Sequence, residues 1–171
     1  MDDTLTLRTA ELRDLAAVDL LLARSYPRLL AADYPPSVMV TAVPLIARAK
    51  PALLASGRYF LVEDEIGRVL GAGGWSLHSP GAAGAGEGRS GTGHVRHVAT
   101  DRDALRRGIG AAVMVRVIEQ ARAAGVGMLE CLSTRTAVPF YASLGFRVRG
   151  PVTITLAPGI AFPAVRMVRA L

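Results

Sequence analysis

The chain has 171 residues, a length that predicts one domain, 1–171, with a single core of two or three layers. No run approaches the roughly 20 apolar residues of a membrane span, Asp2 and Asp3 give the wrong charge for a signal peptide, and the lone cysteine, Cys131, excludes an internal disulfide and a multi-cysteine metal site. The expectation is a cytoplasmic protein with no membrane contact and no metal. The formal net charge is +6, yet Lys50 is the only lysine and the arginines are scattered from Arg8 to Arg169 among acidic residues, a dispersion that argues against a nucleic-acid partner.

Leu5 to Arg8 alternates apolar and polar side chains and reads as a first strand. Leu12, Leu15, Ala16, Val18 and Leu22 have helical spacing over about Leu12 to Ala23. Pro35 and Pro36 then stop the chain, and a second helical stretch follows from about Ser37 to Ala55, kinked or divided at Pro44 and Pro51. Tyr59 to Glu63 and Arg68 to Leu77 read as a hairpin turning at Asp64 to Gly67. Gly71, Gly73 and Gly74 weaken its second strand and predict a bulge or the close approach of another backbone, with Trp75 in the core. The span 79–93 is glycine-rich and predicts a flexible loop. It holds a literal G-x-G-x-x-G at Gly86, Gly88 and Gly91, but no helix follows, so a dinucleotide site is excluded.

His94 to Gly125 is the most informative stretch: a strand over Val95, Val98 and Ala99, a polar turn, then an amphipathic helix repeating Ile109, Val113, Val117 and Ala121, ended by Gly125. Gly108 and Gly110 open that helix, so its first N–H groups stay uncovered and, with the helix dipole, suit phosphate oxygens. Arg106 and Arg107 add positive charge, and the local group Arg96, Arg102, Arg106 and Arg107 is assigned to the same anionic rim. Met128 to Ser133 reads as a strand that buries Cys131 as an inert thiol. A short helix over Ala137 to Leu144 follows, opened by Pro139 and closed by Gly145, and Val152 to Leu156 with Ala164 to Val168 makes a closing hairpin. The apolar final strand is a candidate edge for a homodimer.

RHVATDRDALRRGIGAAVM, followed by FYASLGF from Phe140 to Phe146, resembles the two core motifs of the GCN5-related N-acetyltransferase (GNAT) superfamily. Gly108 and Gly110 match the glycines of R/Q-x-x-G-x-G/A, with Leu105 at the leading position. Ala137, Phe140 and Tyr141 match the second motif, with Thr134 where Asn is usual. With the GAGGW run and the closing hairpin, the likeness extends from about Tyr59 onward. It implies an α+β fold, a three-layer α/β/α arrangement around a mixed, mostly antiparallel sheet in the order β-α-α-β-β-β-α-β-α-β-β. It also implies acetyl-CoA as cosubstrate, its pyrophosphate on the amides of Arg106, Arg107, Gly108, Ile109, Gly110 and Ala111 and its pantetheine arm pairing along Val98, Ala99 and Thr100. Thr134, Phe140 and Tyr141 complete the cofactor side, and the thioester falls where the fourth and fifth strands splay, near the Val98 amide.

Acetyl transfer to an amine needs a positioned carbonyl, a neutral nucleophile and a proton for the departing thiolate. The resemblance places Tyr141 as the general acid. His94 is the candidate base; strand alternation puts it on one face with Arg96 and Val98 and turns His97 away toward packing or surface. Glu63, His78 and Glu130 are held in reserve. The variable first helices wall the acceptor pocket in the family, which makes Tyr26 and Tyr34, with Arg96, candidate contacts to a small or peptide amine. The rival reading is an acyl-CoA-binding module without efficient transfer. A nucleoside-triphosphate binder is excluded by the missing Lys-Ser/Thr pair after the glycines.

Overall fold

The computed structural model describes residues 4–79 and 91–171; most of the 79–93 loop, with Gly86 and Gly88, lies outside the described residues. The first strand, β1 (Thr6–Thr9), pairs antiparallel with β2 (Tyr59–Glu63) in the register Leu7 to Val62. Between them runs α1 (Leu15–Leu30), entered through a 3-10 turn at Leu12–Asp14. It extends past the expected end at Ala23 and carries Pro27 within it, a loss of one N–H donor that the burial of Val18, Leu21, Leu22 and Leu30 outweighs. The expected second helix is divided into α2 (Pro36–Thr41), α3 (Val43–Ile46) and α4 (Pro51–Leu54). Each has proline in its first turn, where the missing N–H has no partner to lose.

The remaining elements are β3 (Val69–Ser76), β4 (Thr92–Thr100), α5 (Ile109–Ala123), β5 (Met128–Ser133), α6 (Val138–Ser143), β6 (Arg147–Ala157) and β7 (Ile160–Ala170). They form a seven-stranded sheet in the order β1-β2-β3-β4-β5-β7-β6, with β4 and β5 parallel and the other pairs antiparallel. This is the expected mixed α+β arrangement, with its second helical stretch broken into pieces. One face packs on α5, where Val113, Met114 and Val117 meet Phe60, Trp75 and Leu129. The other packs on α1, through Val18, Leu21 and Leu22 against Leu61 and Ala72, while Leu30, Tyr34 and Val43 close on Phe162 and Ala164 of β7. No helix among the described residues is long and apolar enough to cross a membrane. The final strand is enclosed between β5 and β6, so the sheet edge at that end is β6 and not β7, against the expected dimer edge.

The β3 glycines mark close approach, as their clustering predicts: a Cβ on Gly71 would strike Ile109 and one on Gly74 the Arg58 carbonyl. The bulge lies opposite them. Gly74 pairs with Arg96 and Ala72 with Ala99, so His97 and Val98 together face Gly73 alone, and His97 takes φ +47° to absorb the extra residue. That corrects the expected alternation. Val98 packs toward Gly73 and Val113 on the α5 face, as Val95 does, whereas Arg96 turns to Ser76 on the opposite side.

Candidate active site

The ladder between β4 and β5 runs Thr92 to Met128, Gly93 to Leu129 and His94 to Glu130. Past that point the two strands part, because β4 bulges at His97 while β5 stays registered to β7 through Ser133. The gap opens into a cleft of about 510 Å³. The start of α5 closes one end of it: Arg106 and Gly108 both sit in the left-handed region, φ +63° and +74°, and no side chain caps the helix. The turn therefore presents backbone N–H groups at the cleft, a fit for an anionic diphosphate. Gly110 keeps this end open, since a Cβ there would lie 3.1 Å from Phe140 Cζ and 3.4 Å from Thr100 Oγ1.

Val98, Ala99, Thr100, Arg106, Gly108, Ile109, Gly110, Ala111, Thr134, Phe140 and Tyr141, all expected on the cofactor side, line this one cleft, together with Leu105 where the motif usually has Arg or Gln. Arg107 lies beside it, on a hollow shared with Asp64, Arg68, Asp101 and Asp103. Thr134, standing for the usual Asn, accepts the Ala137 amide at 3.2 Å on its Oγ1 and so holds the turn into α6. The assignment of Arg96 to the phosphate rim is corrected: it lies about 13 Å away along β4, four residues before Thr100, with Nη1 donating to Ser76 Oγ at 3.1 Å.

Tyr141 is 6% exposed, its ring edge-on to Phe140 and Phe146. Burial, reinforced by Cys131, holds its phenol well above the ordinary range, so it stays protonated. Cys131 lines the same cleft; burial pushes its thiol up to about 12 despite a hydrogen bond with Tyr141, which makes it the inert thiol expected, though not one remote from the site. Tyr26 reaches the cleft from α1, its hydroxyl 3.4 Å from the Val98 carbonyl. Tyr34 stands outside the lining: it donates to the Pro163 carbonyl and accepts the Arg135 amide, each at 2.8 Å, and stacks on Phe162.

His94 is 5% exposed and lies behind the cleft, not on its lining, with Nδ1 3.5 Å from Glu130 Oε1 and no hydrogen bond at either ring nitrogen. Burial lowers its pKa, against the pull of Glu130. His97, expected to turn away, lines the cleft, because the bulge redirects it. Burial, with Arg96 and Lys50 nearby, pushes it down to about 4. Spacing gave no warning of this, since a bulge is a product of strand pairing. Of the reserve groups, Glu63 is tied to Arg8 at 2.6 Å, and Glu130 to Arg166 at 2.6 Å. No cluster of three or more potential metal ligands occurs among the described residues.

A sheet parted between parallel neighbours, with an uncapped glycine-led helix pointing at the gap, defines an acyltransferase of the GNAT type. The chain belongs to the acetyltransferase (GNAT) domain family, whose model matches residues 52–167. No curated protein matches it. Solved structures show the same fold. A GCN5-related N-acetyltransferase from Rhodopseudomonas palustris has TM-score 0.77 at 20% identity, covering 100% of this chain and 99% of that one. The PaiA N-acetyltransferase of Thermoplasma acidophilum, in complex with coenzyme A, has TM-score 0.71 at 12% identity over 98% and 99%. The N-acetylglutamate synthase of Neisseria gonorrhoeae, with coenzyme A and N-acetyl-glutamate, has TM-score 0.64 at 16% identity, covering 100% of this chain and 36% of that one.

Proposed function

We propose that this acetyltransferase moves an acetyl group from acetyl-CoA to a primary amine by direct attack in a ternary complex. The observation that carries the reading is the continuous cleft from the bare amides of Gly108 to Ala111, along Val98 to Thr100, to Tyr141 and Tyr26. The helix N-terminus holds the pyrophosphate, the exposed edge of β4 takes the pantetheine arm as an added strand, and both contacts are with backbone. Those contacts set the thioester carbonyl near the Val98 amide, where an N–H donor stabilises charge on the carbonyl oxygen. Tyr26 walls the acceptor side.

The amine nitrogen bonds to the acetyl carbon and the C–S bond breaks. The sulfur leaves with the proton of Tyr141, which the buried phenol retains until then. The proton released by the attacking nitrogen passes to water in the cleft, which His97 lines and from which both ring nitrogens of His94 are shielded. A cytoplasmic setting goes with this reading, since acetyl-CoA is drawn from the cell interior.

Calorimetry with coenzyme A, followed by thiol release from acetyl-CoA across an amine panel, tests the proposal. Binding with amine-dependent release is the expected result. Folded protein that takes up no coenzyme A overturns it, and uptake without release marks an acyl-CoA-binding module instead.

A further inference from the structure

Arg96 stands on β4 between two residues of the cleft wall, Val95 and His97. Its guanidinium is partly buried, and among the described residues its hydrogen bond runs to a neutral group, the Ser76 hydroxyl at 3.1 Å. The carboxylate on the adjoining strand is already engaged: Glu130 Oε2 lies 2.6 Å from Arg166 Nε and its Oε1 3.5 Å from His94 Nδ1. No acidic side chain among the described residues forms an ion pair with Arg96. A partly buried cation without a counter-charge loses some hydration, and an anion brought beside it supplies both the missing charge and hydrogen-bond acceptors. Burial accordingly lowers the Arg96 pKa.

The charge is not needed for the cofactor, whose diphosphate cradle lies at the other end of β4. Arg96 neighbours His97 on β4, and Arg96 and Lys50 both act on the His97 ring, so positive charge is felt at the cleft beyond the bulge. A bare ammonium or a polycation is repelled there. An acceptor bearing its own negative charge is attracted, and the same field favours the uncharged form of its amine, the form that attacks. A guanidinium offers paired N–H donors in one plane, the geometry that a carboxylate accepts.

We propose that the acceptor carries a carboxylate beside its amine, as an amino acid does, and that Arg96 binds that carboxylate next to His97. This rests on the acetyltransferase reading. The test is kcat/KM with acetyl-CoA for pairs of probes, the protein amino acids and β-alanine against their carboxamides, alongside coenzyme A calorimetry. At least one acid is expected to be used tenfold or more better than its amide. In Arg96→Gln that preference falls to near unity through the KM of the acid, and in Arg96→Lys, which keeps the charge but loses the fork, it lies between. Coenzyme A binding with no acid preferred over its amide overturns the carboxylate assignment and leaves the acetyltransferase reading standing. Absence of coenzyme A binding overturns both. If Arg96→Gln does not fold, the acid-to-amide ratio of the parent enzyme and of Arg96→Lys still decides.

Discussion

The ring of Phe140 rests on the bare Cα of Gly110: a Cβ there would sit 3.1 Å from Cζ and 3.3 Å from Cε2. This contact joins the two sequence motifs, since Gly110 opens α5 and Phe140 lies in α6.

Gly110→Ala tests that junction. Alanine favours the helix by up to about 1 kcal/mol over glycine, while the new methyl forces Phe140 and Thr100 back by tenths of an ångström. The expected outcome is a melting temperature within a few degrees of the parent and a several-fold weaker affinity for coenzyme A, read by calorimetry.

Tyr141→Phe removes the hydroxyl proposed as the proton donor and leaves the ring. General-acid catalysis contributes about 10²- to 10⁴-fold, so turnover is expected to fall by at least about 10² while coenzyme A affinity stays within a few-fold. Unchanged turnover in steady-state assays removes Tyr141 from the chemistry.

His97 makes stability depend on pH. Burial holds its folded-state pKa at about 4, below the ordinary value near 6.5. The unfolded chain therefore binds the proton first, and stability present above pH 6.5 is lost progressively as the pH falls toward 4, by at most about 3 kcal/mol. Urea midpoints at pH 7.5, 6 and 5 follow this loss. His97→Gln is expected to flatten the part of the slope between pH 6.5 and 4, and an unchanged slope refutes the assignment.

Arg8 bridges two carboxylates, 2.8 Å from Asp14 Oδ1 and 2.6 Å from Glu63 Oε1, and its guanidinium holds the Asp14 carboxyl below the usual range. Arg8→Gln leaves Asp14, 7% exposed, charged without its partner. An expected loss of about 2 to 3 kcal/mol at pH 7 shrinks at acid pH, where Asp14, no longer held down by Arg8, takes up a proton in the folded variant before it does so in the parent. Denaturant titrations at pH 7 and pH 3 provide the comparison.

What the sequence determined is local. Amphipathic spacing in α5, the glycines at its start, the prolines that divide the second helical stretch and the glycine cluster in β3 each act within a few residues, so the element order and the turn that opens α5 were legible without coordinates. What the tertiary structure alone decided depends on pairing between distant strands. The bulge opposite Gly73 moved His97 into the cleft and took Val98 off the face of Arg96. The pairing of β7 between β5 and β6 removed the final strand from the edge. Packing engaged the Tyr34 hydroxyl within the protein as both donor and acceptor and left Tyr26 on the cleft wall. A one-residue change in register reverses which face a side chain takes, and register is fixed by partners far away in the chain.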